Sequence, residues 1–255
     1  HRIARLAVGI DLAHLARPFV SDGPPPGPVD RLLLIRPDHL GDLLFTTPAA
    51  RRLRLRFPEA RISYLAGPWA APVLARNRHL DEVIYCDFPW FSGSPRATLW
   101  QPYTMLLALA QQLRARRFGA VLNLRFDFWW GAALTYLAGI PCRVGYATAD
   151  CLPFLNPALP YRPGRHEVLQ NVALVDWLAD AAGSAPDRAH GSQSLEALEF
   201  PISSEERAFA THYLATHGAR AGQPLLIIHA GTRAPVKRWS EEGFATVVSM
   251  LCQRL

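Results

Sequence analysis

Residues 31–50 read RLLLIRPDHLGDLLFTTPAA, and the class of the fold follows from this stretch. The unbroken apolar run at 32–35 is typical of a parallel strand that is buried on both faces. Pro37 ends the strand, because its ring removes an N–H that a central strand needs. From Leu43 onward, leucines recur among alanines and arginines and indicate a helix, with Pro48 close to its first turn. The pattern predicts a strand–loop–helix unit with Gly and Asp at the carboxyl end of the strand, where open α/β sheets bind ligands.

Composition limits the class of protein. The chain has 255 residues, of which 50% are hydrophobic, enough for one or two domains with a large core. No apolar run of about 18 residues occurs, so no transmembrane helix is predicted. The formal charge of +6 fits nucleic acid, anionic lipid or phosphorylated ligands, but no nucleic-acid-binding motif is found, and we exclude nucleic acid as a partner. The four cysteines are widely spaced, which argues against a zinc site and predicts reduced thiols in a cytoplasmic protein.

The first part of the chain divides into two predicted segments. Residues 1–29 comprise an N-terminal helix and a Pro/Gly linker. The helix alternates Arg with apolar residues and either packs on the first domain or lies peripherally on the inner face of the cytoplasmic membrane. Residues 30–182 alternate strands with helices, which is the signature of a parallel sheet. The strands predicted after the first one are 61–66, 82–85, 120–124 and 143–145.

The second part of the chain begins with a polar stretch. We predict an interdomain linker and helix over 183–221 and the start of a second domain over 222–255. That domain opens with a buried strand at 225–229 (LLIIH) and continues into a helix from 241, which Ser240 caps. One strand and one helix cannot cover both faces of a sheet. The sequence therefore predicts that the second domain is incomplete within this chain.

The first candidate site is the turn at 38–42. Its carboxylates could serve only to cap the helix that follows. Alternatively, Asp42 is a general base for a substrate hydroxyl at the edge of the sheet, and Gly41 lets the substrate approach the backbone closely. In this second interpretation, Asp38 and His39 bind further hydroxyls of the same acceptor substrate.

The second candidate site is the loop that follows residues 225–229. Gly231 and Thr232 offer a backbone N–H and a hydroxyl, and Lys237 offers a mobile cation in front of a helix N-terminus. Lys237 is the only lysine among the 27 basic residues. The combination is suited to a phosphate. Neither a Walker loop nor a dinucleotide-binding glycine motif is found in the sequence, so these two classes of nucleotide site are excluded.

Taken together, the two ends of the chain resemble glycosyltransferase family 9, the bacterial ADP-heptose:lipopolysaccharide heptosyltransferases. In the N-terminal part of the chain, the resemblance is carried by Arg36, Gly41-Asp42, Thr46-Thr47-Pro48, residues 57–62 (FPEARI) and residues 77–84 (NRHLDEVI). In the C-terminal part, it is carried by residues 229–232 (HAGT), residues 237–239 (KRW) and Phe244.

The resemblance implies an α/β fold of GT-B architecture, with two Rossmann-like parallel-sheet domains of which the C-terminal one is truncated here. The N-terminal domain would bind a glycolipid or glycan acceptor, with Asp42 as the base. The C-terminal domain would bind a nucleotide-sugar donor, typically ADP-heptose, with Thr232 and Lys237 at its phosphates. The reaction would be inverting and would need no metal or other cofactor. Two alternatives remain open: a transferase of the same fold that uses another nucleotide sugar, and a binding module without turnover.

Overall fold

A computed structural model describes residues 29–91, 98–184, 197–219, 222–223, 225–232 and 235–253. The predicted N-terminal helix and most of the Pro/Gly linker lie outside the described residues, as does 185–196 of the predicted interdomain linker. The chain divides into two compact units, residues 1–201 and residues 202–255. The domain boundaries proposed from the sequence stay predictions.

The first unit is built on a parallel sheet, as predicted. Within its described residues the strand order is β3-β2-β1-β4-β5-β6, and every neighbouring pair is parallel. The four predicted strands after β1 are confirmed to within one residue at each end; the short β6 was not predicted. The strands are β1 Arg31–Ile35, β2 Arg61–Ala66, β3 Glu82–Tyr85, β4 Ala120–Asn123, β5 Cys142–Tyr146 and β6 Ala158–Leu159.

Helices connect these strands. Those of the first unit are α1 Leu40–Leu44, α2 Thr47–Arg56, α3 Ala71–Leu74, α4 Gln101–Ala115, α5 Trp129–Leu137 and α6 Glu167–Ala181, with 3₁₀ turns at Pro68–Ala70 and Leu152–Phe154. The helix predicted to run on from Leu43 is interrupted between α1 and α2. Pro48 has no N–H to give to the carbonyl of Leu44, and the hydroxyl of Thr47 donates to that oxygen instead, at 2.8 Å.

The core lies on both faces of the sheet. In β1, Leu32 and Leu34 pack on the side of α1, α2 and α6, whereas Leu33 and Ile35 pack on the side of α4 and α5. This alternation is the two-residue period of a strand. Because each face is covered by helices, all four positions of β1 can be apolar, as the sequence pattern requires.

The second unit contains helices α7 Ser204–Thr216 and α8 Glu241–Cys252 and a 3₁₀ turn at Pro235–Lys237. The predicted cap of α8 is confirmed, since the hydroxyl of Ser240 accepts a hydrogen bond from Gly243 N at 3.0 Å. The prediction of a buried strand at 225–229 is wrong. These residues pair with no strand, and Ile227 is 78% exposed. A strand needs backbone partners on its flanks, and the described residues of this unit contain no second strand to supply them.

None of the helices in the described part of the chain has both the length and the apolar character required to span a lipid bilayer.

Candidate functional site

The order of the strands locates a crevice in the first unit. In chain order, strands β1 to β3 are added outward on one side of the sheet, and strands β4 to β6 are added outward on the other side. Strands β1 and β4 are paired in register, with Ile35 beside Asn123. In open sheets, the carboxyl ends of two such strands mark the point at which ligands bind, because the connections diverge there and leave a gap. The residues that follow Ile35 and Asn123 are therefore those that line the crevice.

A buried guanidinium lies at the centre of this edge. Arg36 directly follows β1, and its Nε donates to Asp38 Oδ2 at 2.8 Å. Its Nη1 donates to Glu167 Oε2 at 3.0 Å and to the carbonyl of Leu124 at 3.1 Å. Burial acts to lower the pKa of Arg36, but the charges of Asp38 and Glu167 outweigh it and the pKa lies above its ordinary value. The side chain is thus a permanent cation, fixed by three different elements.

A second arginine reaches the same carboxylate from the segment that follows β4. Arg125 donates to Asp38 Oδ1 and, through Nε, to Asp127 Oδ1 at 2.6 Å. Its guanidinium lies 5.3 Å from the centre of the Phe91 ring. Burial opposes its charge, but Asp38 and Asp127 raise its pKa above the ordinary value. Asp38 therefore joins β1 to β4 at their carboxyl ends through two charge-assisted contacts.

The two carboxylates predicted from the sequence have opposite environments. The side chain of Asp38 is 6% exposed and lies between Arg36 and Arg125, whereas the side chain of Asp42 is 47% exposed. Asp42 lies in the first turn of α1, with Oδ1 3.9 Å from Arg36 Nη2. The N-cap position of α1 is held by His39, whose side chain makes no capping hydrogen bond. Of the two carboxylates, Asp42 is the one that a ligand in solution can reach.

The other two residues proposed for acceptor binding lie on the same rim. His39 is exposed, and its ring centre is 5.6 Å from that of Trp69, whose Nε1 donates to the carbonyl of Asp38 at 2.6 Å. Gly41 is also exposed, and a Cβ placed on it would meet no atom within 4 Å beyond its chain neighbours and the backbone of its own helix. The rim thus has open space directly beside Asp42.

The three residues predicted to bind a donor lie in the second unit. Gly231 is exposed, Thr232 is partly exposed, and Lys237 is an exposed residue at the end of the Pro235–Lys237 turn, shortly before the capped start of α8. Residues 233 and 234, which join the two halves of this loop, lie outside the described part. Within the described ranges, no group of three His, Cys, Asp or Glu side chains is placed to hold a metal ion.

The partners of Asp38 in the crevice were not predicted from the sequence. Arg36 was noted only as part of the family resemblance, and Arg125 and Glu167 were not identified. A signal existed for Arg125, because Arg36 and Arg125 each follow a buried apolar strand, and parallel strands bring their carboxyl ends to one edge. Glu167 comes from a distant helix, and nothing in its local sequence distinguishes it from an ordinary acidic residue in a first helical turn.

Comparison with known proteins agrees with the architecture. The chain is 24% identical over 237 residues to lipopolysaccharide heptosyltransferase 2 of Salmonella typhimurium, a match that covers 87% of this chain and 60% of that protein. It resembles the crystal structure of a family 9 glycosyltransferase from Veillonella parvula with a TM-score of 0.67 at 23% identity, covering 87% of this chain and 59% of that one. It also resembles an E. coli heptosyltransferase solved with ADP-2-deoxy-2-fluoro heptose, with a TM-score of 0.55 at 19% identity, covering 87% and 65%.

These matches confirm the predicted α/β fold of the GT-B type for the parallel-sheet unit. In each of them the chain spans about three fifths of the other protein's length. The model of glycosyltransferase family 9 (heptosyltransferase) matches residues 106–255, more than half of the chain, and so includes β4, the arginine that follows it and the loop of the second unit. The chain therefore belongs to glycosyltransferase family 9.

Proposed function

We propose that the protein containing this chain is an inverting transferase that moves heptose from ADP-heptose to an acceptor of the lipopolysaccharide core or a related envelope glycan. The observation that carries this proposal is the open carboxylate of Asp42 on the crevice at the carboxyl ends of β1 and β4. Family membership and the names of the relatives support the class of reaction. The E. coli structure with an ADP-heptose analogue supports the class of donor.

In the proposed mechanism, Asp42 is the general base. It takes the proton of an acceptor hydroxyl while that oxygen attacks the anomeric carbon of the donor sugar. A base must come within hydrogen-bonding distance of the proton that it removes. The side chain of Asp42 is 47% exposed and can meet this requirement, whereas both oxygens of Asp38 are held by arginines.

His39 and Gly41 would contact the acceptor on either side of the base. Asp38 would act as a positioning residue for acceptor binding, because it fixes Arg36 and Arg125 at the edge where the acceptor hydroxyls arrive. Its contacts are charge-assisted and buried, which is the arrangement that holds a side chain in one geometry.

The donor diphosphate would be bound by the second unit. Gly231 and Thr232 would offer an N–H and a hydroxyl, and Lys237 would offer a cation to the negative charge that develops on the leaving group. Charge that is fixed in place before the reaction stabilises such a leaving group without reorganisation. The exposure of Gly231 and Lys237 leaves them accessible to a ligand.

The experiment measures heptose transfer from ADP-heptose to a lipopolysaccharide-core acceptor by the whole protein. Asp42→Asn keeps the shape of the side chain and removes the base, and we expect kcat to fall by about 10²–10⁴-fold with unchanged folding. The matched control is Asp30→Asn, an exposed aspartate just before the amino end of β1. Turnover of Asp42→Asn within a few fold of the control would disprove the assignment of the base.

Two further variants separate the substrates in the same assay. Gly41→Ala adds a methyl group that touches nothing in this chain, so an increase in the acceptor KM would report contact with the acceptor itself. Lys237→Ala should weaken donor binding, by about 10-fold if one charge-assisted contact is lost. Arg238→Ala removes the neighbouring exposed cation and serves as its control. Unchanged donor affinity in Lys237→Ala would remove this lysine from the site.

A further inference from the structure

Helix α4 has large exposed apolar side chains on the side opposite its buried face. Its inner face packs into the core through Leu106, Ala110 and Leu113. On the outer side, Trp100 is 73% exposed and Leu107 is 59% exposed, and Leu99, just before the helix, is 83% exposed. A surface helix in water normally has polar residues opposite its buried stripe. The beginning of the outer face of α4 therefore exposes large apolar side chains that a second apolar surface could cover.

The exposed side chains form one stripe. Residues seven apart differ by only about 20° around an α-helix, so Trp100, Leu107 and Arg114 follow one another along the outer face. Thr104 and Gln111 lie between them and are exposed and uncharged. The stripe thus has an aromatic and aliphatic part at its beginning and a cation at its end.

Positive charges collect at the end of this helix. Residues 88–126 contain five arginines and no aspartate or glutamate. Of the arginines at the end of the helix, Arg116 is paired with Glu82 at 2.5 Å. Arg114 donates to the carbonyl of Leu137 at 2.8 Å, and neither it nor the exposed Arg117 has a carboxylate partner among the described residues. Two positive charges are left to attract an anionic surface.

A cavity lies beside these two cations. It has a volume of about 530 Å³ and is bordered by Arg114 and Arg117 together with the apolar side chains of Leu113, Phe118 and Ile140. Its border therefore combines two cationic side chains with apolar ones.

We propose that α4 docks the protein on an anionic lipid membrane. Tryptophan and leucine would enter the interface between headgroups and acyl chains, where amphipathic aromatic rings are favoured. Arg114 and Arg117 would contact lipid phosphates, each basic residue contributing to attraction by the anionic surface. The two cations without a carboxylate partner favour an anionic lipid surface as the occupant of this face.

The beginning of α4 lies on the same edge of the sheet as the crevice. Helix α4 leads from β3 back to the parallel strand β4, so it starts at the carboxyl edge of the sheet. Leu99 and Trp100 therefore lie on the same edge as Asp38 and Asp42. Docking through the beginning of α4 would hold the crevice near the membrane surface, within reach of an acceptor that is itself anchored in lipid. Membrane binding does not depend on the proposed chemistry and can be measured without any sugar substrate.

The test is co-sedimentation of the purified protein with vesicles. We expect binding to phosphatidylcholine vesicles that contain about one third phosphatidylglycerol, little binding to pure phosphatidylcholine, and weaker binding as salt shortens the Debye length from about 10 Å to about 3 Å. The double variant Trp100→Glu/Leu107→Glu should bind at least about 10-fold more weakly. Arg117→Asn should weaken binding several-fold, and asparagine tolerates the positive φ of 54° at this position.

The control is Leu55→Glu, which places a carboxylate on an exposed leucine of α2. It should bind vesicles like the unmodified protein, and circular dichroism should show the same helix content for all variants. Equal binding of the double variant and the control would overturn the proposal, as would equal binding to neutral and anionic vesicles. Conversion of a dimer to a monomer by Trp100→Glu/Leu107→Glu, without vesicles, would also overturn it and identify a second copy as the partner of this face.

Discussion

Two runs of four apolar residues have almost the same sequence and opposite structures. Residues 32–35 (LLLI) form most of β1, and none of their side chains is more than 1% exposed. Residues 225–228 (LLII) form no strand, and their side chains are exposed. Both runs are followed within a few residues by Gly and by polar side chains that we propose to bind substrates.

The difference lies in what surrounds each run. Strand β1 has β2 on one side and β4 on the other, and helices cover both faces. The described part of the second unit supplies neither a paired strand nor a covering helix to residues 225–228. An apolar run is thus necessary for a buried strand but not sufficient. Burial also requires strands and helices that come from distant parts of the sequence.

The largest expected effect is in amide hydrogen exchange. The amides of residues 32–35 should exchange only through global or near-global opening, at least about 10³-fold more slowly than an unstructured peptide. The amides of residues 225–228 should exchange within about 10-fold of the unstructured rate. Exchange can be followed by NMR or by mass spectrometry of peptic peptides. Strong protection of the second run would show that it is paired in solution and would remove the contrast.

The second effect concerns the polar residue that follows each run. Asp38→Asn leaves two arginines without their shared carboxylate in a buried place, and we expect a loss of about 3–5 kcal/mol in the free energy of unfolding. Thr232→Val, the control after the second run, should change it by no more than about 0.5 kcal/mol. Urea unfolding followed by circular dichroism measures both. A loss below about 1 kcal/mol for Asp38→Asn would mean that the crevice does not need this carboxylate for folding.

The smallest effect is that of truncating the first leucine of each run. Leu32→Ala should cost about 2–5 kcal/mol, because Leu32 is enclosed and its removal leaves a cavity. Leu225→Ala should cost at most about 0.5 kcal/mol, since its side chain is already in contact with water. The two unfolding midpoints, measured in the same buffer, give the comparison. Equal losses would indicate that the second run contributes to a core after all.

Local sequence patterns were sufficient for much of the first unit. Each predicted strand from 61–66 to 143–145 is found, because an apolar run between turn residues carries its own signal. Ser240 was identified as a cap for the same reason, since its contact with Gly243 N spans only three residues. The break between α1 and α2 was missed, although its cause, the missing N–H of Pro48, is also local.

The features that were not predicted from the sequence depend on contacts between residues far apart in the chain. Sequence alone indicated a parallel sheet with carboxylates after its first strand, because periodicity and turn chemistry act within a few residues. Only the folded chain distinguishes the buried Asp38 from the open Asp42, since Arg125 lies 87 residues from Asp38 and Glu167 lies 131 residues from Arg36. Residues 225–228 have no paired strand among the described residues, and their apolar side chains are exposed. Burial and ion pairing are set by the partners that the tertiary structure brings together, and no local pattern records them.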